Sequence, residues 1–395
     1  MPAARPRVTV GRMLSSSPDR HRVVIAGGGI AGLETLVALR LQVPELTRVT
    51  LVAPGDRFAY RALGVEEPFG RGAGRRYALS AIAGDLRAAY IRDALAAVDP
   101  EARTVSLSSG ATLDYDTLVL ALGAHAYPAF GHGITFDREH EPGAFDELLA
   151  DIDARLVPRV AVVVPEHVGW TLPAYELALS TRAYGLSPRG RDIDVALVTH
   201  EPQPLAAFGT TASRAVAGVL ADADIEVRCD REALVMSDGA LIAGNRWLTA
   251  DRIVALPRLA GPRPAGVPSD LHGFVPVDAH GRVPGLDGVY AAGDGTVGTI
   301  KQGGVAAQQA GAVAAHVAWR LGGGPEPEPF APVLRGILNT PRGPLHLQAD
   351  LGPGPAGEGS IASWAPLWPA PGRVASRWLA GYLGGAPAEA RAAAV

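Results

Sequence analysis

Three glycines near the start of the chain have the spacing that phosphate binding requires. Gly27, Gly29 and Gly32 fit the pattern Gly-x-Gly-x-x-Gly, with an apolar run at residues 23–25 before them and good helix formers at residues 30–40 after them. This is the strand–turn–helix context of a dinucleotide-binding turn. The first glycine permits the tight bend, the second lets the backbone approach a pyrophosphate, and the third lets helix and strand pack closely. The N–H groups at the helix start then face the anion.

Two later stretches also end an apolar strand at a glycine. Residues 117–122 lead into Gly123, and residues 289–292 lead into Gly293. Glycine at the end of a buried strand often marks a place where backbone passes close to a ligand. Both strand ends are therefore candidate positions for contact with a bound molecule.

The composition excludes several classes of protein. The chain has 395 residues, 48% hydrophobic and 19% charged, so it can bury a large core. A net charge of −4 gives no reason to expect a nucleic-acid partner. The single cysteine, Cys229, allows no intrachain disulfide or Cys-x-x-Cys pair, and we expect an inert buried thiol there. His125, His132, His140 and His167 lack metal-ligand spacing, so no metal site is expected.

The predicted strands and helices divide the chain into two α/β, Rossmann-like units. We predict a discontinuous first dinucleotide-binding domain at residues 21–137 and 270–330. An antiparallel β-meander of strands at residues 89–91, 94–98 and 104–107 is expected in its first part, and a long helix at residues 303–320 in its second. A second unit of the same kind is expected at residues 138–269, with a strand at residues 159–164 and a helix at residues 172–184. A cap or interface region is expected at residues 331–395. Residues 1–20 are expected to form a flexible tail.

The glycine turn, the stretch at residues 115–123 and the stretch at residues 292–294 occur in the order seen in two-domain flavoproteins. The chain resembles the pyridine nucleotide-disulfide oxidoreductases, in particular the branch of type II NADH:quinone and sulfide:quinone oxidoreductases. This resemblance covers roughly residues 21–320 and implies FAD bound across the first domain. It also implies that NADH or NADPH reduces the flavin, which then passes electrons to a quinone or another small acceptor.

The same resemblance assigns roles to single residues. The implied FAD contacts are Gly27, Gly29, Gly32, Arg61, Gly123, Gly293 and Asp294. Asp294 would hold ribityl or pyrophosphate oxygens, while Lys301 and Gln302 would lie against the isoalloxazine as candidate catalytic residues. A cation there stabilises the negative charge of reduced flavin, and Lys301 is the candidate cation. The alternative for Lys301 is a solvated surface lysine.

Two departures from the family pattern bear on the activity. The chain lacks the cysteines of sulfide chemistry and the disulfide of glutathione-reductase relatives, so neither activity is expected. The second unit lacks a Gly-x-Gly-x-x-Gly turn, because residues 164–176 contain only Gly169, and their prolines remove amide donors. Glu176 resembles the glutamate of the family's Glu-x-Ala, and Glu201 is the candidate for holding a nicotinamide-side ribose.

Two other functions stay open at this stage. One is a flavoprotein oxidoreductase that takes another organic donor without nicotinamide, and the other is a non-enzymatic, flavin-binding redox sensor or partner-binding protein.

The tryptophans near the end of the chain, Trp364, Trp368 and Trp378, favour core packing or an interface, such as that of a homodimer, over a membrane contact. No apolar run reaches the ~18 residues of a membrane span. The expected location is the cytoplasm, with peripheral contact at the inner face of the membrane left open.

Overall fold

The computed structural model describes residues 20–60, 64–71, 76–137, 143–187, 192–236, 240–243, 246–298, 300–352, 359–369 and 374–384. Arg61, most of the predicted tail at residues 1–20 and His140 lie outside these ranges. The strands are β1 (His21–Ala26), β2 (Thr47–Ala53), β3 (Arg57–Ala59), β4 (Arg76–Ala78), β5 (Ala89–Arg92), β6 (Leu95–Asp99), β7 (Thr104–Leu107), β8 (Thr112–Asp114), β9 (Thr117–Leu120), β10 (His125–Tyr127), β11 (Ile134–Thr135), β12 (Arg159–Val164), β13 (Asp194–Thr199), β14 (Ile225–Arg228), β15 (Ala233–Val235), β16 (Ala240–Ala243), β17 (Arg246–Thr249), β18 (Arg252–Ala255), β19 (Arg258–Ala260), β20 (Val289–Ala291), β21 (Val333–Thr340), β22 (Gly343–Asp350) and β23 (Ile361–Ser363). The helices are α1 (Ile30–Gln42), α2 (Leu79–Asp85), α3 (Ala144–Asp153), α4 (Leu172–Gly185), α5 (Gly209–Asp222), α6 (Gly303–Arg320) and α7 (Leu379–Leu383).

The first domain is built on a five-stranded parallel sheet in the order β20-β9-β1-β2-β5. Strand β1 is apolar and buried from Val23 to Ala26, as expected of a parallel strand covered on both faces. Strand β20 pairs with β9, although β9 ends at residue 120 and β20 begins only at residue 289. The sheet is therefore completed by a segment from late in the chain.

Helices and a meander cover the two faces of this sheet. Helices α1 and α6 pack together on one face through buried residues such as Leu33 and Val313. The antiparallel meander β6-β7-β8 packs on the other face through Val98 and Val105. The prediction that residues 89–91 form a strand of this meander is wrong. They belong to β5, which pairs in parallel with β2, and a short apolar strand carries no local signal of its partner.

The second domain repeats the architecture in a five-stranded parallel sheet, β11-β18-β12-β13-β14. Helix α4 follows β12 and packs on the sheet, with Tyr175 fully buried in the core. Strands β10 and β19 pair where the chain enters and leaves this domain. Strand β11 pairs within the second sheet although it precedes the predicted boundary at residue 137. The antiparallel sheet β15-β16-β17 was not predicted.

The C-terminal region contains a three-stranded antiparallel sheet, β21-β22-β23, which the sequence analysis did not predict. Leu334, Leu345 and Leu347 of this sheet join the core of the second domain. Trp378 and Leu379, at the start of α7, instead join the core of the first domain. The region predicted to be a cap or interface therefore packs against both domains.

Candidate functional site

The glycine turn between β1 and α1 is closely packed on its protein side. Gly27 has φ of +124°, and its N–H donates to the Val52 carbonyl oxygen at 2.8 Å. A Cβ at Gly27 would lie 2.0 Å from the Ala121 carbonyl oxygen, and one at Gly32 would lie 1.9 Å from the Gly27 carbonyl oxygen. Glycine is required at both positions, because any side chain would push the turn away from β9 or from α1.

Gly29 is different, because its Cα faces open space. A Cβ built there has no described atom within 4 Å, and φ of −85° is allowed for any residue. Gly29 is the N-cap residue of α1 and has no side chain that could cap the helix start. The N–H groups and the positive end of the helix dipole are thus directed into that space. A pyrophosphate would fit in this space, in contact with the Gly29 backbone.

Two other predicted strand ends converge on this turn. The N–H of Gly293 donates to Oε1 of Gln309 at 2.8 Å, and a Cβ at Gly293 would lie 3.0 Å from the Ala31 Cβ. A Cβ at Gly295 would lie 2.8 Å from the Gly123 carbonyl oxygen. The tertiary structure therefore brings the ends of β9 and β20 together beside the start of α1, as a dinucleotide site requires.

Lys301 is buried rather than solvated. Its side chain is only 8% exposed, and its ammonium lies 4.0 Å from the centroid of the Phe274 ring and donates to the Thr296 carbonyl oxygen. Burial lowers the pKa of Lys301 to about 8, and the carboxylates of Asp294 and Asp270 partly oppose that shift. The positive charge is thus held in an environment of low polarity, where it acts strongly on any charge nearby.

Gln302 supports the start of α6. Its Oε1 accepts from the Val305 N–H at 2.9 Å, and its Nε2 donates to the Arg335 carbonyl oxygen at 3.2 Å. A Cβ at Gly303 would lie 2.7 Å from Cδ1 of Ile30, the first residue of α1. The N-termini of α1 and α6 therefore meet, and Gln302 ties this junction to the C-terminal sheet. Its predicted catalytic role stays a prediction.

The two glutamates predicted for a nicotinamide face other protein groups. Glu176 is 1% exposed, and its Oε1 accepts from the Asn339 N–H at 3.0 Å, in the C-terminal sheet. Glu201 is 6% exposed, and its carboxylate accepts four hydrogen bonds. The donors are Thr171 Oγ1 at 3.1 Å, Tyr175 Oη at 2.6 Å, Thr199 Oγ1 at 3.1 Å and Ala206 N at 3.2 Å. Burial raises the pKa of Glu201, and those bonds oppose the shift.

The N-terminus of α4 is covered by protein. A Cβ at Gly336 of β21 would lie 2.9 Å from Leu172 Cδ1 and 2.7 Å from Phe208 Cζ. The ring of Trp170 packs against Phe208, with centroids 5.8 Å apart. The preceding turn is attached to the first domain, since the Gly169 carbonyl oxygen accepts from the Lys301 N–H at 2.7 Å. Side chains therefore cover the start of α4 in the second domain, whereas the start of α1 in the first domain faces open space at Gly29.

Thiol and metal chemistry find no support in the described ranges. Cys229 is half-buried, and burial raises the pKa of its thiol, with Glu201 and Asp230 adding to the shift. A raised pKa keeps the thiol protonated and unreactive at neutral pH. Among the described residues no group of three or more His, Cys, Asp or Glu could hold a metal ion. No described helix is long and apolar enough to cross a membrane.

The fold and the open glycine turn define a protein of two dinucleotide-binding domains, of the type found in flavin-dependent oxidoreductases. The chain belongs to the pyridine nucleotide-disulphide oxidoreductase family, whose model matches residues 21–310. It is an enzyme of the oxidoreductase class by this membership.

Relatives and solved structures agree with this membership. An NADH dehydrogenase-like protein of Mycobacterium tuberculosis is 30% identical over 298 residues, covering 69% of this chain and 72% of that protein. A sulfide-quinone reductase of Aquifex aeolicus is 27% identical over 195 residues, covering 46% of this chain and 43% of the relative. The crystal structure of the Aquifex aeolicus sulfide:quinone oxidoreductase has a TM-score of 0.76 at 22% identity, covering 87% and 86% of the two chains. That structural likeness shows the fold.

Proposed function

We propose that this chain is an FAD-dependent oxidoreductase that passes electrons from a reduced donor, through flavin, to a quinone or another small acceptor. The observation that carries the proposal is the open space at Gly29, bounded by the closely packed Gly27 and Gly32 and by the end of β20. When bound, FAD would supply the two-electron chemistry. Relatives named NADH dehydrogenase-like protein and sulfide-quinone reductase support this class of reaction.

The chain's own residues would bind and tune the cofactor. The start of α1 would hold the pyrophosphate, and Asp294, half-buried beside Gly293, would accept hydrogen bonds from ribityl hydroxyls. Lys301 would raise the affinity for the more negative, reduced form, because its charge is buried and fixed in place. The Phe274 ring faces the Lys301 ammonium, and the Gly169 backbone packs against the Lys301 stem.

NADH or NADPH is the donor implied by the family resemblance, and the second domain's residues do not fit it. A nicotinamide dinucleotide would need the N-terminus of α4 for its pyrophosphate and an acid at the end of β13 for its ribose. Leu172 and Phe208 are packed against the C-terminal strand at the first position, and Glu201 is committed to protein groups at the second.

The second candidate therefore has a specific observation in its favour. In it, a different organic donor reduces the flavin, and the closed second domain serves as a scaffold for the C-terminal sheet. The C-terminal strand β21 packs on α4 and supplies the Asn339 N–H to Glu176, which gives that scaffold role a physical basis. Because the start of α4 is covered and Glu201 is enclosed, the geometry of the second domain supports another organic donor better than a nicotinamide.

One anaerobic experiment tests both the class and the donor. The purified protein is denatured to identify the released flavin, and intact protein is mixed with NADH, NADPH or dithionite while the flavin absorbance is followed. FAD release with rapid bleaching by a nicotinamide would support the first donor. Bleaching by dithionite alone would exclude both nicotinamides, and a panel of organic reductants would then separate the second donor from a redox sensor. Absence of FAD would overturn the proposed function, and reduction by no physiological donor would favour a redox sensor.

A further inference from the structure

A buried carboxylate in α1 holds the last described segment of the chain. Glu34 is 0% exposed, and its side chain accepts three backbone N–H bonds, from Arg377 at 3.0 Å, Trp378 at 2.9 Å and Leu379 at 2.7 Å. Burial raises the pKa of Glu34, and these three bonds oppose the shift. A carboxylate so deep is tolerable only with such partners, since a buried charge left unpaired is strongly destabilising.

The segment that Glu34 holds lies beside the junction where α1 and α6 begin, next to the candidate cofactor site. We define the strap as residues 374–384. The N–H of Val374 donates to the Tyr60 hydroxyl at 3.2 Å, and a Cβ at Gly303 would lie 3.1 Å from Val374 Cγ2. The strap thus passes over the junction where α1 and α6 begin, while the Trp378 side chain is buried among residues of the first domain. Its anchor, Glu34, lies one turn beyond the glycine turn.

We propose that the strap retains the cofactor and that Glu34 is the positioning residue that fastens it. FAD could then leave only when the strap detaches from α1. This inference rests on the proposed binding of FAD, but it concerns a different part of the chain and a different quantity, the rate of release. The strap contacts Gly303 at the start of α6, while the space at Gly29 lies at the start of α1.

The variant Glu34→Gln tests the anchor, because it keeps the shape and replaces one acceptor oxygen with an amide that cannot accept. We expect FAD to dissociate at least about tenfold faster, a change of about 1.4 kcal/mol, as followed by the rise of free flavin fluorescence after dilution. The matched control is Glu45→Gln, at an exposed glutamate paired with Arg20, which should release FAD at the wild-type rate. An unchanged release rate in folded Glu34→Gln protein would overturn the proposal.

A second measurement uses the wild-type chain alone. If the strap and FAD stabilise each other, coupling is reciprocal, so FAD must slow hydrogen exchange at the amides of residues 377–379. Equal exchange rates with and without FAD would also overturn the proposal. The FAD content of the purified wild-type protein tests the proposed function separately. Protein that never carries FAD would overturn both the proposed function and the role of the strap.

Discussion

The main-chain N–H of Lys301 donates to the carbonyl oxygen of Gly169 at 2.7 Å, and this bond joins the two dinucleotide-binding domains. The contact is also steric, because a Cβ at Gly169 would lie 2.2 Å from Lys301 Cγ. The residue that the family resemblance assigns to the flavin environment is therefore the same residue that holds the turn of the second domain.

Gly169→Ala should loosen this joint. The added methyl group has no space beside the Lys301 stem, so we expect a loss of about 1–3 kcal/mol in the free energy of unfolding, measured by thermal and denaturant unfolding. The control is Gly311→Ala in α6, where a Cβ meets no described atom within 4 Å. That change should be neutral or stabilising by up to about 1 kcal/mol. Equal effects at the two positions would contradict the steric explanation.

Gly29→Val should remove FAD and leave the fold intact. The backbone at Gly29 allows valine and the site has space for it, so the side chain would fill only the volume that the pyrophosphate needs. Gly32→Ala should instead damage the fold, because its Cβ would lie 1.9 Å from a carbonyl oxygen. Flavin absorbance and circular dichroism separate the two results. A Gly29→Val protein with full FAD occupancy would count against this site.

Lys301→Met should lower the flavin midpoint potential while FAD affinity stays near the wild-type value. A hydrogen bond or close contact with a charged group contributes ~1–3 kcal/mol, and for two electrons about 30 mV corresponds to about 1.4 kcal/mol. The expected decrease is therefore roughly 20–65 mV, measurable by reductive titration against a reference dye. An unchanged potential in folded, FAD-loaded protein would remove Lys301 from the flavin environment.

The same variant should change how stability depends on pH. The pKa of Lys301 is lowered from 10.5 to about 8 by burial, so between these values the unfolded chain binds a proton that the folded chain has lost. Stability therefore rises with pH across this interval for this group, and below pH 8 the burial penalty is present in full. Denaturant unfolding at pH 7 to 10 should show this rise in the wild type and a smaller one in Lys301→Met. Parallel curves would be inconsistent with a buried, shifted lysine.

Cys229→Ala should leave turnover nearly unchanged. The thiol is half-buried with a raised pKa, so little thiolate exists at neutral pH, and a single cysteine cannot form a dithiol pair. Iodoacetamide should accordingly react slowly with the native protein. Loss of activity at unchanged flavin content and stability would revive thiol chemistry for this chain.

Local patterns in the sequence predicted the elements that depend on local interactions. The glycine turn, the buried strand β12 and helices α4 and α6 were expected close to their observed positions, since apolar runs, glycine spacing and helix-forming stretches lie within a few residues of each other. The partner of β5 and the C-terminal sheet were not predicted, because strand pairing joins distant segments and short strands do not encode their neighbours.

The sequence by itself determined that a glycine turn of the dinucleotide-binding pattern lies at residues 27–32 and that the single cysteine has no partner thiol in the chain. Only the tertiary structure decided what Glu201, Lys301 and Glu34 contact. Glu201 is enclosed by residues up to 30 positions away, and the N–H of Arg377 reaches Glu34 across 343 positions. Burial and hydrogen bonding of a charged group depend on which distant segments pack around it, and a residue type at one position carries no information about those segments.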